Sequence, residues 1–394
     1  MMFWATRALT AGSDVGRTEL GGKSMRIAMI GQRGLPATYG GVERHVEELA
    51  VRLADRGHEV VVFCRRNYTD QRKPLYRGVK LRYPPTYRSK HLEAAIHSGV
   101  ASMLTVGRDF DIVHYHALGP GLWSPIPRWV TRAKVVQTIH GIDHDGAKWG
   151  RFARGVLRAG DWLSQRVPDA VIVVGGYLLD HYSGRRGLTV HIPNGVNDES
   201  AKDDRILDRL GLRAHEYALF VGRLIPEKGV DHLITAFSQV ETSINLVIVG
   251  GSSYTDDYER MIRGLASKDP RVVLPGFVYG AELASLYKNA AVYVQPSMRE
   301  GFPLTVLEAA SHGLPLVLSD IPAHLEVLPH SRPGGRLYAR GDSSELARAL
   351  SDTIAAGSNE RAAAVVAGGQ VTERYRWDAV TDQTEDLYAR VIGS

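Results

Sequence analysis

The sequence predicts an α/β protein of two Rossmann-like domains, each a doubly wound parallel sheet, facing each other across a cleft. Three observations lead there: the length, a strand–helix alternation that runs twice, and a turn-rich break near the middle. At 394 residues the chain exceeds one ordinary hydrophobic core and suits two. In the first half "RIAMIG", "EVVVFC", "DIVHYH", "KVVQTIH" and "DAVIVVG" read as strands; "YALFVG", "NLVIVG", "VVLPGF", "AVYVQP" and "LPLVLS" do so in the second. Helical spacing occupies 41–56, 148–166, 231–240, 256–267, 281–289 and 303–312 between them. Such alternation builds parallel sheets through right-handed crossovers.

The break falls in "IPNGVNDESAKDD", residues 192–204, where turn residues and charges replace periodic apolar ones. It divides the chain into a first domain, 25–195, and a second, 196–375. The segment 376–394, containing "RWDAVTDQTEDLYARVI", has apolar residues at helical spacing and is expected to cross back onto the first domain. Residues 1–24 show neither periodicity nor the apolar stretch of a signal peptide and read as a disordered extension, or as the result of a misplaced start, before the strand that Met25 opens.

Composition narrows the function. Hydrophobic content of 44% and charged content of 23% suit a soluble globular protein, and no apolar run reaches the ~18 residues of a membrane span. The single cysteine, Cys64, excludes an internal disulfide, fits a reducing cytoplasmic compartment, and sits at a strand end as a buried, inert thiol. The net charge of +5 is uneven: residues 1–195 carry +12 and residues 196–394 carry −7. A basic half points to an anionic partner, a phosphate-bearing substrate or an anionic membrane surface. No basic stripe interleaved with aromatics supports nucleic acid.

Ligands of open parallel sheets bind beyond the carboxyl ends of the strands, so the segments following strands carry the argument. "GQRGLPATYGGVERHVEELA" follows the first strand and opens a helix at Gly40-Gly41. Glycines there let a ligand approach the backbone, and the helix N-terminus favours phosphate. A dinucleotide fingerprint is excluded because Arg33 and Pro36 stand where it needs glycines. "LFVGRLIPEKGVDHLITAF" places Arg223 and Lys228 beside glycines at a strand end. Together they suit a diphosphate, although Glu227 and Asp231 offer them ordinary surface pairing. "AVYVQPSMREGFPLTVLEAA" is strand, loop and helix, with Pro303 in the first helical turn, Glu300 ahead of it and Glu308 on the second turn. Carboxylates so placed accept from neighbouring sugar hydroxyls.

At these residues the chain resembles the retaining glycosyltransferases of family 4, whose two-domain architecture is the GT-B fold. "EGFPLTVLE" is similar to that family's E-x7-E element and "VGRLIPEKG" to its cationic loop. "GQRGLPATYGG" resembles a bacterial subgroup of rhamnosyl- and other hexosyltransferases that build cell-surface polysaccharides. The resemblance implies transfer of a hexosyl unit from a nucleotide diphosphate sugar to a glycan or lipid-linked acceptor, without a metal or other cofactor. It implies that Arg223 and Lys228 bind the donor diphosphate, Glu308 the ribose, and Glu300 the transferred sugar beside the amides of Gly301 and Phe302. Gly40 and Gly41 match the glycine loop near donor phosphate and acceptor, and His140 of "QTIHG" a histidine at the reaction centre. The resemblance further implies retention by front-face attack through a short-lived oxocarbenium-like ion pair, with no enzyme nucleophile and the departing diphosphate taking the acceptor proton.

Alternatives are a sugar-nucleotide 2-epimerase of the same fold and a carbohydrate-binding protein without turnover. His114 and His116 lie on one side of a strand with His140 within reach, but strand histidines are more often satisfied by neighbouring polar groups than by metal. Asp143, Asp145, Asp256 and Asp257 read as helix N-terminal acids. Residues 148–166 combine Trp149, Phe152, Val156 and Trp162 with basic residues; the apolar side is expected to pack on its own sheet, with the cations free to draw the domain towards a membrane.

Overall fold

The computed structural model describes residues 24–38, 40–69, 71–86, 93–142, 151–185, 187–197, 204–252 and 256–393. The expected extension, apart from Ser24, and the acids Asp143 and Asp145 lie outside them. Eight strands form the first sheet: β1 (Arg26–Ile30), β2 (Glu59–Phe63), β3 (Leu75–Tyr76), β4 (Val79–Arg82), β5 (Ile112–His116), β6 (Lys134–Ile139), β7 (Ala170–Val173) and β8 (Leu188–His191). Six form the second: β9 (Tyr217–Val221), β10 (Asn245–Val249), β11 (Val272–Gly276), β12 (Val292–Gln295), β13 (Leu316–Ser319) and β14 (Gly335–Tyr338).

The first sheet runs β3-β4-β2-β1-β5-β6-β7-β8, parallel except for the β3–β4 pair, and the second runs β11-β10-β9-β12-β13-β14, all parallel. Central strands are buried on both faces, which explains their near-continuous apolar sequences. The strands that periodicity did not reveal, β3, β4, β8 and β14, are short and stand at or next to a sheet edge. β4 alternates buried and exposed residues over only four positions, too few to distinguish from a loop.

Strand order reverses direction between β1 and β5 in the first sheet and between β9 and β12 in the second. At such switch points adjacent crossovers leave on opposite faces and open a crevice at the carboxyl ends. The segments after β1, β9 and β12 are the three with the glycine pair, the cations and the glutamates.

Two chain crossings join the domains. The Val196 amide donates to the Tyr375 carbonyl at 2.7 Å, and the final helix, Trp377–Ile392, then packs on the helix Gly41–Asp55. Trp377, Val380, Leu387, Tyr388 and Val391 enter the first domain's core. At the edge of this contact Arg52 meets Asp378 at 3.0 Å and His58 meets Glu385 at 2.9 Å.

Two local expectations change. Pro303 is the residue before the helix, with extended backbone, and the helix proper is Leu304–Ser311. On the helix Arg151–Ser164, Trp162 does not pack on the sheet; it is 55% exposed with the Arg166 guanidinium 4.3 Å over its ring. Cys64 is buried as expected, and burial pushes its thiol up to about 12. Among the described residues no helix is long and apolar enough to cross a membrane.

Candidate active site

One cleft of about 830 Å³ lies between the domains, and Gly40, Gly41, His140, Arg223, Lys228, Glu300, Gly301, Phe302 and Glu308 all line it. Residues far apart in sequence converge because both switch points open onto the same gap.

The donor side is built on β9 and β12. After β9 the chain turns through Gly222 and Arg223 into a short 3₁₀ turn, Pro226–Lys228, and then Gly229 at φ +65°. A side chain at Gly229 would place Cβ 2.3 Å from the Pro296 carbonyl oxygen, so only glycine lets this loop lie against the loop after β12. That contact brings Lys228 Nζ to 2.5 Å from Glu300 Oε1. The same carboxylate oxygen accepts from Ser297 Oγ at 2.6 Å and Gln295 Nε2 at 3.1 Å. Gln295 is held in turn by the Tyr293 hydroxyl at 2.6 Å. Burial alone would raise the Glu300 pKa; the Lys228 charge, its hydrogen bond and the Ser297 hydroxyl outweigh it and hold the carboxyl below the usual range. Arg223 is exposed at the rim and makes no ion pair among the described residues. The surface pairing open to the two cations is therefore not what the structure shows: Lys228 is tied to the cleft glutamate, and Asp231 accepts from Tyr258.

Glu308 faces the cleft one helical turn after Leu304, and the fully buried Tyr287 donates to its Oε2 at 3.0 Å. Beside it Phe277 and Tyr279 stack on each other, ring centroids 6.0 Å apart and nearly parallel, in the cleft lining.

First-domain groups reach across to the glutamate loop. The Tyr177 hydroxyl donates to the Glu300 carbonyl at 2.8 Å, and Asn194 Nδ2 donates to the Phe302 carbonyl at 2.7 Å. Gly301 lies so close to the His140 carbonyl that an added Cβ would be 1.6 Å from its oxygen. On the first-domain wall, Gly40 precedes the helix Gly41–Asp55 at φ +104°, and Glu43 turns back to accept from the Arg33 amide at 3.0 Å. Gly40, having no side chain, offers the helix start no cap of its own, and Gly40, Gly41 and Val42 line the cleft.

His140 belongs to a histidine group that sequence reasoning saw only in part. His116 Nδ1 lies 3.4 Å from His140 Nε2, and the His45 ring is edge-on to His140 at 4.8 Å between centroids. His114 is fully satisfied by the Tyr388 hydroxyl and Thr138 Oγ1, as expected of a strand histidine. Burial, together with the neighbouring imidazoles, holds His116 and His140 far below the ordinary histidine pKa, and burial lowers His45 to about 4. The group is neutral at pH 7. His45, Asn194, Tyr177 and Tyr287 escaped notice because each lies in a periodic or loop segment and its partner stands on another element, across the cleft for Tyr177 and for the Asn194–Phe302 contact.

Comparisons with known proteins agree with this architecture. Residues 39–200 match Glycosyltransferase Family 4, and residues 215–356 match Glycosyl transferases group 1. A phosphatidyl-myo-inositol mannosyltransferase of Mycobacterium leprae is 30% identical, over 94% of this chain and 98% of its own. An uncharacterized glycosyltransferase of Methanocaldococcus jannaschii is 29% identical, over 92% and 98%. Among solved structures, sucrose-phosphate synthase from Thermosynechococcus elongatus superposes with a TM-score of 0.80 at 24% identity, covering 94% of this chain and 99% of that one. Anabaena HepE in complex with UDP and glucose gives 0.77 at 19%, covering 93% and 100%. The fold is GT-B, and the chain belongs to glycosyltransferase family 4 and is a hexosyltransferase.

Proposed function

We propose that the protein moves a hexosyl unit, with retention of anomeric configuration, from a nucleotide diphosphate sugar to a glycan or lipid-linked acceptor of a cell-surface polysaccharide. The observation that carries this reading is the Lys228–Glu300 pair at the second sheet's switch point, in one cleft with Arg223 and Glu308. Arg223 and Lys228 hold the diphosphate, Glu308 the ribose diol, and Glu300 Oε2 the sugar hydroxyls, its Oε1 being occupied by three donors. The base lies against the loop carrying Phe277 and Tyr279.

Two cations take the charge of the leaving diphosphate, so the transfer needs no metal or other cofactor. Catalysis is then positioning and electrostatic stabilisation. No enzyme nucleophile is assigned; attack from the front face lets the departing diphosphate accept the acceptor's proton. A neutral His140 suits a hydrogen bond to a sugar hydroxyl better than a countercharge. The mycobacterial relatives act, by name, on a phosphatidylinositol lipid, which supports a lipid-linked acceptor. The basic first half and the exposed Trp129 and Val130 beside Arg128 support a cytoplasmic enzyme peripheral at an anionic membrane face.

The test is melting in the presence of UDP, GDP, dTDP and NAD, each with chelator. Stabilisation of about 2.7 kcal/mol at a hundredfold excess over Kd is expected from one nucleoside diphosphate. The matching nucleotide sugar, given with acceptor, should yield product of the donor's anomeric configuration by NMR. Stabilisation by NAD alone, or an inverted product, overturns the reading. Vesicles of anionic lipid at low salt should sediment the protein, and failure to do so removes the membrane from it.

A further inference from the structure

We propose that His45, His116 and His140 form a binding site for a divalent transition-metal ion of the zinc class, separate from the donor diphosphate. Each offers one imidazole nitrogen, and these three nitrogens lie within 4.8 Å of one another. His45 and His116 are buried and His140 opens to the cleft. Ligand nitrogens about 2.05 Å from a tetrahedral zinc stand about 3.3 Å apart. His116 Nδ1 and His140 Nε2 already meet that spacing at 3.4 Å. Closing the widest separation, 4.8 Å, to about 3.3 Å needs side-chain movements of about 1.5 Å in total.

A second observation concerns protons. Asn194 Nδ2 donates to the Phe302 carbonyl, which turns its Oδ1 towards His45 Nδ1 at 2.9 Å. An amide oxygen only accepts, so His45 carries its proton on Nδ1 and presents a bare lone pair at Nε2. That is the outer partner by which metal-ligating histidines are oriented. His116 Nε2 is buried with no hydrogen-bond partner among the described residues. With Nδ1 as the ligand atom, that nitrogen keeps the His116 proton, and Nδ1 presents its lone pair towards His140 Nε2. His114, though tilted against His116 with ring centroids 4.2 Å apart, has both nitrogens engaged and is not a ligand. Three protein ligands leave a fourth position, facing the cleft through His140.

Metal at this site holds the His140 imidazole away from a sugar hydroxyl, so occupancy inhibits transfer. The inhibition rests on the function proposed above; the binding does not.

The experiment uses the full chain, stripped with chelator and dialysed. Zn2+ is titrated in competition with a chromophoric chelator, and Co2+ is followed by visible absorption. One site per chain with sub-micromolar Zn2+ affinity is expected, with the intense bands of tetrahedral cobalt. Asn194→Ala should weaken it by about 10–100-fold. His45→Ala and His116→Ala should abolish it, whereas the exposed His215→Ala and His330→Ala should leave it unchanged. Melting and circular dichroism establish that each variant folds. Should the buried variants unfold, the cobalt spectrum of the unaltered chain decides alone. No uptake at micromolar Zn2+, retention in both buried variants, or an octahedral cobalt spectrum overturns the site. Zn2+ binding without chelator-reversible loss of transfer upholds the site and overturns the role given to His140.

Discussion

Glu300→Gln separates the two jobs assigned to the donor site. The carboxylate is mostly buried and its Oε1 takes Lys228 Nζ at 2.5 Å, with side-chain exposures of 11% and 14%. A glutamine keeps an oxygen for the Ser297 hydroxyl but removes the charge opposite Lys228. Breaking one partner of a buried pair costs about 3–5 kcal/mol, because the remaining charge stays desolvated. At about 2–4 °C per kcal/mol for a domain of this size, the melting temperature of the ligand-free protein should fall by roughly 6–20 °C. A nucleoside diphosphate restores a counterion to Lys228, so the variant should bind it at least as tightly as the unaltered protein. Transfer should nevertheless drop by about 10²–10³-fold, the loss expected when one group that stabilises a transition state is removed. Calorimetry of nucleotide binding and single-turnover transfer on the same preparation read both terms. Weaker nucleotide binding with unchanged turnover would refute the reasoning and move Glu300 from the sugar to the nucleotide.

Other perturbations test neighbouring parts of the site. Arg223→Ala removes an exposed cation and should leave the melting temperature within about 2 °C, while weakening nucleoside diphosphate binding by 1.5–3 kcal/mol, roughly 10–150-fold; unchanged binding by titration would remove Arg223 from the diphosphate. Glu308→Ala should make the protein indifferent to the ribose 2′-hydroxyl, measured as equal affinity for a ribo- and a 2′-deoxyribonucleoside diphosphate, and a preserved preference would contradict the ribose assignment. Gly301→Ala must separate the loop from the His140 carbonyl, 1.6 Å from the new Cβ, and should lower kcat by at least tenfold while nucleotide binding persists. Acid should destabilise the fold through its buried neutral histidines. His45, His97 and His324 each have a folded pKa of about 4 against an ordinary 6.5, so the unfolded chain binds more protons between those values. Stability is then intact above pH 6.5 and falls as pH drops towards 4, by up to about 3 kcal/mol per histidine; a melting temperature flat across that window would show these groups to be solvated.

Much of this protein was determined by sequence alone, because strand and helix periodicities and glycine-punctuated strand ends are local properties. β1, β9 and β12, with the segments that follow them, were legible down to Gly40, Arg223, Lys228 and Glu300, since open parallel sheets place ligands where such strands end. Glu308 was legible as a position in a helix, but not its hold by Tyr287, 21 residues earlier on another helix. Only the tertiary structure decided which charges meet. Lys228 and Glu300 read as two separate ligand contacts, whereas the approach of Gly229 to the Pro296 carbonyl makes them one buried pair. Nothing local in "GGVERHVEELA" distinguishes His45 from a surface helix residue; its contact with Asn194, 149 positions away, exists only once the first domain closes on itself. The histidine group is a product of packing within the first domain, and the reach of Tyr177 and Asn194 to the glutamate loop a product of packing between domains; in both, side chains distant in sequence share one desolvated space. Periodicity specifies the elements, and their juxtaposition sets protonation, pairing and the shape of the site.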